Sequence, residues 1–97
     1  DFLIDHPTFR LNISGHTDSS GNAMLNLKLS QQRADSIKRY ILDNSLINPQ
    51  RIFAIGYGSE MPIIKEEETD EDRKLNRRVE FEIYRDPPKQ KGQSGTN

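Results

Sequence analysis

Ninety-seven residues make one small domain with a single core and little stability to spare. Hydrophobic residues are 32% of the chain and charged residues 30%, and 14 basic side chains nearly balance 15 acidic ones. That composition leaves no electrostatic footprint for nucleic acid or an anionic membrane, and the absence of cysteine excludes disulfides and thiolate chemistry.

No apolar run approaches the roughly 20 residues that a membrane-spanning helix needs. The abrupt opening, DFLIDHPTFR, reads as a segment of something longer. Residues 1–6 look like the end of a helix stopped at His6-Pro7, because a residue before proline disfavours helix. Phe9, Leu11 and Ile13 then alternate with Arg10, Asn12 and Ser14, a period of two that predicts a half-buried strand. Gly15 to Gly21 is a turn-rich loop, and a helix is expected from about Asn22 to Asn44. Arg51 to Tyr57 reads as a short, mostly apolar second strand. Gly58 to Asp70 is a loop with Pro62 and the acidic run Glu66-Glu67-Glu68, read as solvated surface. A helical turn over Glu71 to Asn76 precedes a third strand, in which Val79, Phe81 and Ile83 alternate with Glu80, Glu82 and Tyr84. Residues 86–97 hold no hydrophobic side chain and are expected to form a disordered tail behind a domain of residues 1–85. Strand, long helix and strand predict a βαβ unit with a right-handed crossover, extended by the last strand into a mixed sheet of the α+β class.

The long helix carries an anomaly. At about 100° per residue, Leu25, Leu27, Leu29, Ala34, Ile37, Tyr40 and Ile41 spread over a broad apolar arc that should face a core. Within that arc, in the N-terminal half only, sit Asn26, Ser30 and Arg33. Asn26 and Arg33 stack on one face roughly 10 Å apart along the axis. Polar groups on an inward face are costly unless paired. Asp18, in the loop before the helix, shares that polar space. A carboxylate and a guanidinium facing one concave spot suit a ligand that carries both charges; residue chemistry equally allows a plain Asp18–Arg33 ion pair with no ligand.

Other chemistry is poorly supported. His16 has no second histidine nearby and no cysteine, so no metal set is expected. Ser19, Ser20 and Ser30 lack a triad order. Gly56-Tyr57-Gly58-Ser59 lacks phosphate-loop spacing. Tyr57 and Tyr84 read as packing residues. Of Arg77 and Arg78, adjacent residues at the start of a strand, only one can reach a given face.

Taken in order, Gly15-His16-Thr17-Asp18 with Gly21, the N-x-x-L-S-x-x-R-A pattern over Asn26 to Ala34, Arg51-Ile52, Gly56-Tyr57-Gly58, Pro62, and Asn76-Arg77-Arg78-Val79-Glu80 resemble the OmpA-like peptidoglycan-binding domain family. The resemblance covers roughly residues 8 to 84. It implies a β-α-β-α-β-β sandwich with a mixed sheet, the family's first strand being absent from this segment, so that an open sheet edge is available to another chain or a second copy. It implies a non-catalytic module that holds peptidoglycan through the diaminopimelate of the stem peptide, without cofactor or metal. The place implied is the periplasm, as part of an outer-membrane-associated protein. Carried over by position, Asp18 pairs with the ligand's ammonium and Arg33 with its carboxylate; Thr17 and Asn26 add hydrogen bonds and Arg77 closes the pocket. The alternative is a protein-interaction domain of an envelope complex with the same fold. Between Pro62 and Asn76 the chain departs from the family pattern, being Glu-rich and one residue longer.

Overall fold

The computed structural model of the protein describes residues 2–85, so the tail expected over 86–97 lies outside the described residues. In chain order the elements are α1 (Phe2–Asp5), β1 (Phe9–His16), α2 (Ala23–Asp43), a 3₁₀ turn at Pro49–Arg51, β2 (Ile52–Gly58), α3 (Asp70–Asn76) and β3 (Val79–Arg85). β1 is central. It runs parallel to β2 and antiparallel to β3, giving a mixed sheet in the order β2-β1-β3, with α2 packed on β1 and β2.

Local chemistry sets the boundaries. The side chain of Asn22 accepts from the Leu25 amide at 3.0 Å and fixes the start of α2. Thr69 and Asp72 exchange side-chain and backbone hydrogen bonds in a capping box that starts α3. Arg51 donates to the carbonyls of His6 and Phe9 and so ties the 3₁₀ turn to the start of β1. Gln31 reaches from α2 to the outer edge of β2, accepting from Gly56 N at 2.8 Å and donating to Ala54 O at 2.9 Å.

The apolar core is small: Leu3, Leu11, Ile13, Ala34, Ile47 and Ile52 are buried, with Phe9, Ile37, Ile41, Leu42, Ala54 and Val79 packed against them. Of the broad apolar arc expected along α2, only Ala34, Ile37 and Ile41 in its C-terminal half meet the core. Leu25, Leu27, Leu29 and Tyr40 are exposed, and the buried line of the helix runs through Asn26, Ser30 and Ala34. The reason is close approach. A Cβ on Gly15 would collide with the carbonyl oxygen of Ser30, and one on Gly56 with the backbone nitrogen of Gln31. Backbone rests on backbone there, and only short side chains fit between. On β3, Phe81 and Ile83 pair with Ile13 and Leu11 and share their face of the sheet. They remain 57% and 50% exposed, because α2 covers β1 and β2 instead.

This close approach has a direct consequence. Gly15→Ala forces a methyl against a fixed carbonyl rather than a movable side chain, and the cost lies at the upper end of core overpacking, about 3 kcal/mol. Urea unfolding of the variant against the unmodified protein measures it; an unchanged midpoint would mean that α2 does not sit so close to β1.

Candidate functional site

The loop between β1 and α2 lies at the C-terminal ends of the two parallel strands, where open sheets with a helical crossover commonly place their ligands. Its start is pinned to the sheet: His16 N donates to Arg78 O and Thr17 N to Gly58 O, each at 2.9 Å. The Thr17 hydroxyl donates to Asp18 O at 2.8 Å. The amide of Asn26 donates to Ser20 O at 2.9 Å and, at 3.4 Å, to Asp18 O, so this buried side chain shapes the loop from the first turn of α2. Ser30 is fully occupied structurally, accepting from Gly58 N at 2.8 Å and donating to Leu27 O at 2.9 Å.

Asp18 is the charged centre. One carboxylate oxygen accepts from Ser20 N at 2.9 Å and from the Ser20 hydroxyl; the other accepts from Arg77 Nη1 at 2.5 Å. The Ser20 hydroxyl is the main cause that lowers the carboxyl from 3.8 to about 2, with the Arg77 guanidinium and the Ser20 amide adding to it; burial opposes them and is outweighed. The pair is asymmetric. The side chain of Asp18 is 9% exposed and that of Arg77 is 42% exposed.

Arg33 is not buried on an inward face as its spacing suggested. It is exposed, and its side chain makes no hydrogen bond or ion pair among the described residues. The ion pair considered between Asp18 and Arg33 is therefore replaced by one between Asp18 and Arg77. The buried line of α2 passes through Ala34, and its neighbour Arg33 is turned about 100° from it. Arg78 faces away from Asp18, bonded to Glu80 at 2.5 Å, Met61 O at 2.8 Å and Asn76 O at 3.2 Å.

Two residues that the sequence reading did not assign to the site help to build it. Asn76, fully buried, accepts from the amides of Ile63 and Ile64 at 2.8 and 2.9 Å and donates to Ile64 O at 2.9 Å and Glu67 Oε2 at 2.6 Å. Glu67, taken as solvated surface, instead bonds Ser19 through both its amide, at 3.2 Å, and its hydroxyl, at 2.6 Å. No local pattern separates Glu67 from Glu66 and Glu68, since its partner lies 48 residues away. The only sequence signal was the extra length and acidity of that loop.

His16 is 3% exposed, stacks on Tyr57 with ring centroids 5.4 Å apart and shares a 3.1 Å hydrogen bond with Ser14 Oγ. Burial, and then the nearby Arg78 charge, push its pKa below the usual histidine value, favouring the neutral ring. Its Nδ1 is buried without a partner. Among the described residues no three His, Cys, Asp or Glu side chains gather as a metal set.

The sequence and the fold have close parallels. The model of the OmpA family matches residues 1–77. The chain is 40% identical over 83 residues to outer membrane porin F of Pseudomonas fluorescens, covering 86% of this chain and 25% of that protein. Its fold matches the crystal structure of the peptidoglycan-associated lipoprotein from Burkholderia pseudomallei with a TM-score of 0.75 at 28% identity, over 86% of this chain and 69% of that one. It also matches a MotB-like protein from Desulfovibrio vulgaris with a TM-score of 0.74 at 32% identity, over 91% and 56% of the two chains. The chain thus spans a quarter of the porin's length and between half and seven-tenths of the two solved chains. With its family model matched over most of its length and its fold shared with these structures, this chain belongs to the OmpA family.

Proposed function

We propose that this domain binds peptidoglycan non-covalently, through the diaminopimelate of the stem peptide, and so tethers an outer-membrane-associated protein to the wall from the periplasmic side. The observation that carries the reading is Asp18: a buried, ionised carboxylate at the C-terminal ends of two parallel strands, set by Ser20 and Arg77. A carboxylate offers about four acceptor positions, and Asp18 uses three, so a ligand ammonium has a place beside the Arg77 contact. Arg33, with no partner of its own among the described residues, serves as the cation for the ligand's carboxylate. Thr17 and Asn26 hold the loop around Asp18, and Arg77 closes the pocket from the start of β3. Similarity of fold and sequence to a peptidoglycan-associated lipoprotein supports the choice of ligand. The module acts by binding alone, with no bond made or broken.

Pulldown with purified sacculi and titration with a diaminopimelate-containing stem peptide test this reading. Asp18→Ala and Arg33→Ala each remove one charge-assisted contact and weaken peptide binding at least tenfold, the variants remaining folded. A lysine-containing stem peptide, lacking the extra carboxylate, binds more weakly than the diaminopimelate one. Undiminished pulldown by both variants would overturn the assignment.

The state of Asp18 is separately measurable. In the free domain its carboxyl carbon, followed by NMR, titrates near 2 instead of 3.8. Because the folded value is the lower one, the stability these contacts contribute is complete above pH 3.8 and disappears as the pH falls through about 2. A midpoint near 3.8 would mean that Ser20 and Arg77 do not hold the carboxylate.

A further inference from the structure

The segment between β2 and α3 has no regular structure from Ser59 to Glu68, yet it is fixed at two levels. Asn76 holds it at Ile63 and Ile64 through the backbone. Glu67 then joins it to the opposite side of the site, accepting from Asn76 Nδ2 at 2.6 Å and from Ser19 Oγ at 2.6 Å, with the Ser19 amide at 3.2 Å. The connectivity gives this bridge its significance. Ser19 directly follows Asp18, and Asn76 directly precedes Arg77. One carboxylate therefore clamps the chain immediately beside both members of the Asp18–Arg77 ion pair.

We propose that Glu67 is a positioning residue for ligand binding, one that sets the spacing of Asp18 and Arg77 by bridging Ser19 and Asn76. The inference rests on the reading of Asp18 as a ligand contact. Only a carboxylate fits the role. All three groups that Glu67 meets are donors: an amide, a hydroxyl and a side-chain NH₂. A glutamine there would turn its own NH₂ toward either the Asn76 NH₂ or the Ser19 amide, losing that contact and the charge and so weakening the bridge. Glu66 and Glu68 make no comparable side-chain contact among the described residues, and both are exposed, so they serve as controls.

The charged groups facing Glu67 are Asp18 from the loop before α2, which opposes its ionisation, and Arg73 from α3, itself bonded to Asp70. The hydrogen bond from Ser19 and then that from Asn76 outweigh the opposing influences and hold Glu67 below its usual 4.5. Glu67 is thus charged throughout the neutral range, and the bridge loosens only on acidification below 4.5.

The experiment compares the unmodified domain with Glu67→Gln, Glu66→Gln and Asp18→Ala, titrating each with the diaminopimelate-containing stem peptide across pH. The ligand-free proteins are followed by NMR at the Ser19 amide and the Asn76 side-chain NH₂. E67Q weakens peptide binding roughly tenfold at neutral pH, while E66Q does not. In the unmodified domain the Ser19 and Asn76 resonances share an inflection below pH 4.5 that E67Q abolishes. A residue needed only for folding would lower the unfolding midpoint without transferring this inflection between two distant sites. Equal affinity of E67Q and the unmodified domain, with Asp18→Ala weakened, overturns the role of Glu67 alone. Undiminished binding by Asp18→Ala overturns the site and, with it, this inference.

Discussion

The constraint on which the rest depends is the contact of helix backbone with sheet backbone where α2 crosses Gly15 and Gly56. Because no side chain separates the two layers there, Ser30 reaches Gly58 N and the end of β2 is tied to the helix. Asn26, one turn earlier on the same buried line, then lies over the loop and donates to Ser20 O. Gly58 O in turn accepts from Thr17 N. The position of Asp18 follows from these three tethers. A larger residue at either glycine would lift the helix and release the two tethers that start from it, those of Ser30 and Asn26.

Within that frame, the electrostatics of the site are deliberately unequal. Asp18 is buried and held on one oxygen by Ser20, whereas Arg77, its partner on the other oxygen, extends from a half-open position. An exposed ion pair contributes little by itself, but a carboxylate already desolvated and oriented needs little reorganisation to take a second cation. On the proposed reading, the half-open Arg77 gives way to a ligand ammonium while the buried Asp18 stays fixed. Arg33 is the complementary case, a cation held only by its place on α2. On the sheet face at His16 and Tyr57, an imidazole whose lowered pKa favours the neutral ring lies beside the mutually paired charges of Arg78 and Glu80.

How much of this was legible in the sequence differs between elements for physical reasons. Periodicity placed all three strands and α2 to within two residues, because alternation and helical spacing are local properties of the chain. Asn22 and Asn44, the expected ends of α2, flank the observed Ala23–Asp43 on either side. Strand alternation also separated Arg77 from Arg78, which the structure puts on different partners. The expected apolar arc failed at Leu25, Leu27 and Leu29, because it took the hydrophobic side of a helix to be the inward side. Two glycines on distant strands invert that preference by admitting only short polar side chains, and neither is visible from the helix sequence. The partner of Asp18 and the bridge through Glu67 were unreadable for a related reason: both join residues that only the sheet and the β2–α3 loop bring together.

The distribution of polar and apolar packing explains how so small a core can hold a defined site. The buried aliphatic residues concentrate where the strands begin, with Leu11 beside Ile52 in the β1–β2 register and Ile47 and Leu3 in the same cluster. Toward the strand ends, the most deeply buried side chains are Ser30 and Asn76, whose polar groups meet specific partners. Apolar contacts tolerate small displacements, whereas a satisfied buried amide does not, because any shift leaves a desolvated donor or acceptor behind. The hydrophobic end therefore supplies most of the cohesion and the polar end supplies the geometry. Asn76 shows the division clearly: its two acceptor and two donor bonds fit one arrangement of the 63–67 segment, and an aspartate there would face Ile64 O and Glu67 with lone pairs instead of protons. A hydrophobic residue of the same size could fill that volume, but it would fix neither the loop nor the arginine that follows it.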